Sequence, residues 1–438
     1  MSTATAPALS PKLNTQLSVM MFLQYAIWGA WLPIFFPFLT IYRGFTPAQA
    51  GTLFAVGAIG ATVAPFIAGQ IADRYFNTEK YLGLSHIIGG LLVWQLGSIE
   101  SYGGLMIFGI LYSLLYVPTL ALSNALAFHH LPDRDRDFGK VRVWGTVGWI
   151  AVGIGIGHWL RIMYTPEGVP PAEVLMAQAK GMAVAFKVSA VLGWILGVLC
   201  FTLPKTPPKK SEQKFAPFAA MGQVMKKPLL ILFIIAFPLS VVHQFYFVRT
   251  AGFLGTLQSG ASAAIDKFFA QIFGVGGGGL MTIGQIAEIA VLAFMPILAK
   301  KLSRKTLLGI GILAYIVRFG VFAYLPYTAA VVPALALHGL CFGCFFFVAF
   351  MIVDEETTPD VRSSAQNLFN FIIMALGVIC GNLFAGQVDT LAASDGKTSF
   401  QTLFSIPMWI CVACLVALVA LYPSKKSATA AQPSAEAA

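Results

Sequence analysis

Charge is scarce in this sequence. Asp, Glu, Lys and Arg make up 11% of the 438 residues, whereas a soluble domain carries about 25%. Hydrophobic residues account for 58% of the chain instead. A helix needs about 20 mainly apolar residues to cross the hydrocarbon layer of a bilayer. The composition therefore excludes a soluble globular protein and predicts a chain that lies almost entirely in the membrane.

Cysteines in polar surroundings are also missing. All six cysteines lie in apolar runs, at Cys200, Cys341, Cys344, Cys380, Cys411 and Cys414. Disulfide frameworks are typical of small secreted domains, and zinc sites need thiolates in a polar shell. We therefore interpret the cysteines as packing residues and predict no metal and no other cofactor.

The apolar runs predict twelve membrane-spanning helices. They lie at 17–40, 48–72, 82–99, 104–128, 143–163, 182–203, 229–254, 272–299, 306–325, 328–353, 364–388 and 400–421. The polar segment before the first run lacks the basic region and the cleavage site of a signal peptide, so we expect this run to remain as the first span. An even number of spans places both termini on one face of the membrane.

The basic residues indicate which face that is. A net charge of +10 suggests nucleic acid in a soluble protein, but in a membrane protein Lys and Arg collect in cytoplasmic loops. With both termini in the cytoplasm, 20 of the 28 Lys and Arg residues lie in cytoplasmic segments and 7 lie outside. The sequence therefore predicts a multi-pass protein of the cell membrane, with cytoplasmic termini and no nucleic-acid partner.

A basic, proline-rich stretch at 204–228 separates span six from span seven. We interpret it as a cytoplasmic linker between two six-helix halves, 1–203 and 229–424, followed by a disordered tail at 425–438. The end of span two also resembles the end of span eight, which indicates an internal repeat. Transporters built from such repeats bind their substrate near the bilayer midplane, between the halves.

Glu288 is the carboxylate that lies deepest within a predicted span. An ionisable side chain in a membrane helix is costly and marks a functional site by default, although hydrogen bonds to a neighbouring helix would also explain it. Gln285 precedes Glu288 by three residues and shares its helix face. We predict that Glu288 and Gln285 bind a substrate, and that Glu288 binds a proton.

Span five carries Arg142, Thr146 and Trp149, whose spacing places them on one helix face. A guanidinium, a hydroxyl and an indole on one face can bind a polar aromatic solute. The alternative is an interfacial arginine beside a tryptophan of the aromatic belt.

Spans seven and ten add polar and aromatic candidates. Gln244 and Phe247 lie in span seven, and His338 and Phe342 in span ten. An amide provides paired donor and acceptor atoms, and the rings provide stacking faces. Arg318, within span nine, is expected to pair with a polar neighbour in the bundle.

Six segments, in order, resemble the nucleoside:proton symporter family of the major facilitator superfamily. They are 22–31 (FLQYAIWGAW), 116–124 (YVPTLALSN), 142–146 (RVWGT), 284–288 (GQIAE), 318–324 (RFGVFAY) and 359–366 (PDVRSSAQ). The loop GQIADR at 69–74 is also similar to the signature between helices two and three of that superfamily. The resemblance covers nearly the whole chain.

This resemblance implies an all-α major facilitator fold that imports nucleosides with protons by alternating access. It implies that Arg142, Thr146, Gln244, Gln285 and Glu288 line the binding site. The loop with Asp73 and Arg74 is expected to act in gating. We expect a monomer that contacts nucleoside, proton and membrane lipid, and we expect no enzymatic activity.

The sequence departs from the family pattern at three positions. Phe247 replaces an expected Asn, His338 an expected Tyr, and Gly343 an expected intramembrane Asp. Glu288 is then the carboxylate left for proton coupling, with His338 as a second candidate because histidine titrates near neutral pH.

Two other functions are compatible with parts of the sequence. A carrier of the same fold for a sugar, a drug or an organic anion would fit the apolar Phe247. A membrane enzyme or receptor would need a polar catalytic cluster or a soluble signalling domain, and we find neither in the sequence.

Overall fold

The computed structural model describes residues 7–66, 76–207, 221–260, 263–394 and 397–423. The predicted gating residues Asp73 and Arg74 lie outside these described residues. The same holds for the tail at 425–438 and for the central part of the linker.

Twelve long helices follow one another along the described chain, and we number them α1–α12. They are α1 (Pro11–Tyr42), α2 (Pro47–Phe66), α3 (Thr78–Leu96), α4 (Tyr102–His130), α5 (Arg134–Met163), α6 (Pro171–Cys200), α7 (Leu229–Ser259), α8 (Gly278–Lys301), α9 (Arg304–Tyr324), α10 (Thr328–Glu355), α11 (Arg362–Ala392) and α12 (Phe400–Leu421). Ten of these described helices, all except α2 and α3, are long and apolar enough to cross a membrane. The prediction of an all-α membrane protein is confirmed.

Several helices begin earlier than the apolar runs indicated. Helix α5 begins at Arg134, where the Asp133 side chain accepts a hydrogen bond of 3.0 Å from the backbone N–H of Arg136. Helix α6 begins at Pro171, a residue suited to a first helical turn. Hydropathy misses such polar first turns because capping, and not burial, determines where they begin.

The predicted start of span eight, at residue 272, is wrong. A separate short helix, Ala264–Phe273, ends there, and α8 begins only at Gly278. Between them the backbone turns through Gly274, Gly276 and Gly277, with φ of 71°, 79° and 80°, a region that favours glycine. A small hairpin, Ala393–Ser394 with Lys397–Thr398, also joins α11 to α12.

The packing of the first six helices is repeated by the last six. Helix α1 packs against α5 and α6, and α7 packs against α11 and α12 in the same way. The pairs α2 with α4, α3 with α4 and α3 with α6 recur as α8 with α10, α9 with α10 and α9 with α12. The described helices therefore form two six-helix halves of the same design.

The most extensive contacts between the halves are those of α2 with α11 and of α5 with α8. Both pairs come close at the end of the bundle opposite the chain termini, which we call the far end. A Cβ atom on Gly51 of α2 would lie 2.6 Å from the carbonyl oxygen of Asn382, and one on Gly386 would lie 2.6 Å from that of Pro47. Val275 donates a backbone hydrogen bond of 3.0 Å to Gly157 at the other pair.

The close approach of α2 to α11 is testable with a single methyl group. We expect Gly51→Ala to lower the thermal unfolding temperature in detergent, because an added Cβ in a packed contact costs about 1–3 kcal/mol. Gly57→Ala, in the same helix, is the matched control, since a Cβ at Gly57 has no atom within 4 Å. Equal unfolding temperatures for the two variants would contradict this account of the contact.

Candidate functional site

Glu288 and His338 face each other between α8 and α10. Glu288 Oε2 lies 3.6 Å from His338 Nε2. The Glu288 side chain is 22% exposed, whereas that of His338 is 1% exposed. One turn before Glu288, Gln285 is buried, and its Oε1 has no hydrogen-bond partner among the described residues. This part of α8 therefore combines a partly accessible carboxylate with a buried amide oxygen that has no hydrogen-bond partner among the described residues.

Arg318 lies behind this pair on α9. Its Nη1 is 3.0 Å from His338 Nδ1, so the expectation that Arg318 pairs with a polar neighbour is confirmed. The guanidinium carbon also lies 4.0 Å from the centre of the Tyr246 ring. One imidazole thus contacts a cation with one nitrogen and a carboxylate with the other.

Aromatic rings surround His338. Its ring stacks with that of His243, at 5.3 Å, and with that of Tyr246, at 4.9 Å. The Phe247 ring meets it edge-on at 5.5 Å, and Phe342 lies 6.3 Å from His243. Phe247, His338 and Phe342 therefore belong to one aromatic cluster, which approaches Glu288 through His338.

The predicted stripe on α5 lies along α1. Arg142 places its guanidinium carbon 4.1 Å from the centre of the Tyr25 ring, and it is close enough to Glu288 for a coulombic interaction between the halves. Trp149 packs beside Gly29, where a Cβ would be 3.0 Å from the indole. Thr146 is half-buried between them.

Gln244 is occupied by a partner that the sequence did not indicate. Its Nε2 donates a hydrogen bond of 2.8 Å to Asn382 Oδ1 of α11. Neither Asn382 nor Tyr25 was predicted as a site residue, because each is defined by a contact with a helix distant in sequence. A polar residue inside an apolar run is the only signal that could have found Asn382.

The first half contains a buried polar network of its own, again not predicted. Gln24 donates 2.9 Å to the Thr119 hydroxyl through Nε2. Its Oε1 lies 3.0 Å from His86 Nε2, which must be the donor because a carbonyl oxygen only accepts. The Tyr116 hydroxyl donates to the Gln24 backbone carbonyl. Three helices, α1, α3 and α4, are joined in this way without a charged group.

A buried ion pair lies near the far end. Arg249 Nη2 of α7 is 2.6 Å from Asp389 Oδ1 of α11, and both side chains are buried. The Arg249 guanidinium carbon also lies 4.2 Å from the ring centre of Phe36, in the other half. The predicted span 364–388 is therefore wrong at its end, because α11 continues past Asp389 and buries it.

A family model described as the nucleoside H+ symporter matches residues 11–427. The chain belongs to the nucleoside H+ symporter family. It is 29% identical to the putative nucleoside transporter YegT of Escherichia coli, over 94% of this chain and 92% of that protein. It is 25% identical to the nucleoside permease NupG of Escherichia coli, over 94% and 96% of the two chains.

A solved structure supports the same conclusion. The crystal structure of nucleoside transporter NupG superposes with a TM-score of 0.80 at 25% identity, over 94% of this chain and all of that one. A bacterial homologue of the lysosomal transporter Spinster shares the fold, with a TM-score of 0.66 at 15% identity. The predicted major facilitator fold is confirmed. This member of the symporter family is a multi-pass membrane transporter and not an enzyme.

Proposed function

We propose that this symporter imports nucleosides with protons across a bacterial inner membrane, as a monomer with both termini in the cytoplasm. Membership of the nucleoside H+ symporter family supports the solute and the ion. The observation that carries the site assignment is Glu288, a partly accessible carboxylate in mid-helix, within coulombic range of Arg142 in the other half.

The surrounding groups match the two parts of a nucleoside. Ribose presents hydroxyls, which can donate to Gln285 Oε1 and to the Glu288 carboxylate. The base is a flat ring, which can stack on an aromatic side chain such as Phe247, Phe342 or Trp149. Because Phe247 cannot hydrogen-bond, recognition of the base in this chain depends on stacking at that position.

The closed far end supports an inward-facing state. Helices α2 and α11 meet there, His158 donates 3.1 Å to the carbonyl of Ile272, and Arg249 lies over Phe36. If the termini are cytoplasmic, this is the external side. Alternating access would then require these contacts between the halves to separate.

Uptake into proteoliposomes tests the solute. We expect an outside-acid pH gradient to drive accumulation of radiolabelled uridine or adenosine, and we expect unlabelled nucleosides to compete better than sugars, drugs or organic anions. Competition by one of those other classes, with no effect of nucleosides, would favour the carrier of a different small polar solute.

Glu288→Gln tests proton coupling. The amide keeps the shape of the side chain but cannot bind and release a proton. We therefore expect gradient-driven accumulation to fall to the level of empty liposomes, while counterflow exchange is at least partly retained because exchange needs no net proton movement. Both assays are run on the same liposomes beside wild type.

The outcomes of that comparison separate two roles. Accumulation by Glu288→Gln in response to a pH gradient would place coupling elsewhere. Loss of counterflow together with substrate binding would make Glu288 a substrate ligand and would contradict its assignment as the proton carrier.

Two variants test the stripe on α5, and a third is their control. We expect Trp149→Ala to weaken nucleoside binding about tenfold, since stacking on an aromatic ring contributes about 1–3 kcal/mol per base. We expect Thr146→Ala to weaken it less. Ile150→Ala, one residue further along α5 and on another face, should leave binding in detergent unchanged. Equal affinity for Trp149→Ala and wild type would assign Trp149 to packing against Gly29 alone.

A further inference from the structure

Arg318 is a cation enclosed in the second half. It is fully buried, and its guanidinium carbon lies 4.0, 5.0 and 5.1 Å from the ring centres of Tyr246, Tyr315 and Phe319. Among the ion pairs of the described residues, none includes Arg318. Burial of an uncompensated charge is strongly destabilising. Through its hydrogen bond to His338, Arg318 is connected to the Glu288 carboxylate.

That hydrogen bond fixes the tautomer of His338. A guanidinium only donates, so Nδ1 of His338 must accept with its lone pair. A neutral imidazole with a free Nδ1 carries its proton on Nε2. His338 cannot take a second proton while this contact lasts, because Nδ1 would then present a hydrogen to the Arg318 donor.

The protonated nitrogen faces Glu288. Nε2 lies 3.6 Å from Oε2, and a donor at this position favours the ionised carboxylate. The other charged and titratable groups around Glu288 and His338 are Arg142 from α5, His243 and Tyr246 from α7, and Tyr315 from α9. His243 is itself engaged, with Nδ1 2.5 Å from the Tyr315 hydroxyl.

Apolar side chains surround Gly343, the position at which an acid was expected. Gly343 lies further along α10 and faces α8, where a Cβ would be 2.7 Å from Val291 Cγ1 and 3.4 Å from Met295 Cε. Apolar side chains thus fill the space, and Glu288 is the carboxylate that His338 reaches.

We propose that His338 is a positioning residue that carries no transported proton. Arg318 holds it as a neutral Nε2–H tautomer, and it links the buried charge of Arg318 to Glu288. Proton binding by Glu288 then removes the negative charge to which Arg318 is linked, so protonation state and helix packing around α9 and α10 change together. This inference rests on the proposed function, in which Glu288 carries the proton.

Three variants distinguish between the two possible roles of His338, a neutral positioning residue and a proton carrier. His338→Gln keeps an acceptor for Arg318 and a donor for Glu288 but does not titrate. His338→Phe keeps an aromatic ring and removes both contacts. Arg318→Gln removes the positive charge that His338 links to Glu288.

We expect the pH of half-maximal nucleoside uptake on the alkaline side to stay at the wild-type value in His338→Gln. It should rise by about one pH unit in His338→Phe and in Arg318→Gln, because the Glu288 carboxylate then loses the nearby N–H group or the linked positive charge that favours its ionised form. The two effects should not add in the double variant. Loss of gradient-driven accumulation in a folded His338→Gln, with counterflow retained, would overturn the proposal and make His338 a proton carrier.

A second measurement does not depend on transport. In nanodiscs without substrate, the infrared band of the protonated carboxyl of Glu288, identified by its loss in Glu288→Gln, should titrate alike in wild type and His338→Gln and at higher pH in Arg318→Gln. An unchanged titration in Arg318→Gln would overturn the link. If the wild-type protein took up no nucleoside, the proposed function would be contradicted. The infrared titration would still test the link between Arg318 and Glu288. If His338→Phe does not fold, the results for His338→Gln and Arg318→Gln are sufficient to test the proposal.

Discussion

A polar group placed among apolar helices must find a partner within the bundle, since hydrocarbon offers none. The two halves satisfy this constraint differently. The first half uses neutral groups, with Gln24 joining His86 and Thr119. The second half uses a charge, with Arg318 joined to His338 and then to Glu288. The same arrangement of helices thus supports a network of uncharged partners in the first half and a network with charged groups in the second.

This difference gives the halves different parts in transport. The network around Gln24 pairs uncharged donors with acceptors and joins α1, α3 and α4. In the second half, the partly accessible Glu288 can change its charge. Arg142, stacked on Tyr25, brings a cation of the first half toward that carboxylate. The charge of Glu288 in the second half therefore interacts with Arg142 in the first half.

The sequence was sufficient for the fold class, for the number of helices and for the candidate Glu288, because each depends on composition and on local spacing. It was insufficient for the partners. The contacts of Gln244 with Asn382 and of Arg249 with Asp389 join α7 to α11, and no local pattern indicates which helices meet. Helix starts such as Arg134 were misplaced because a capping side chain, and not hydropathy, sets them. The site residues themselves stay predictions until variants are measured.

Backbone atoms make several of the far-end contacts between the halves. Gly51 faces the carbonyl of Asn382, Gly386 faces that of Pro47, and Gly157 accepts from Val275. Side chains that interlock must change rotamer before two surfaces can part, whereas two backbone surfaces can separate as rigid bodies. Separation here exposes carbonyl groups that water solvates readily. At these backbone contacts, opening of this end would therefore need less side-chain repacking than the parting of interlocked side chains.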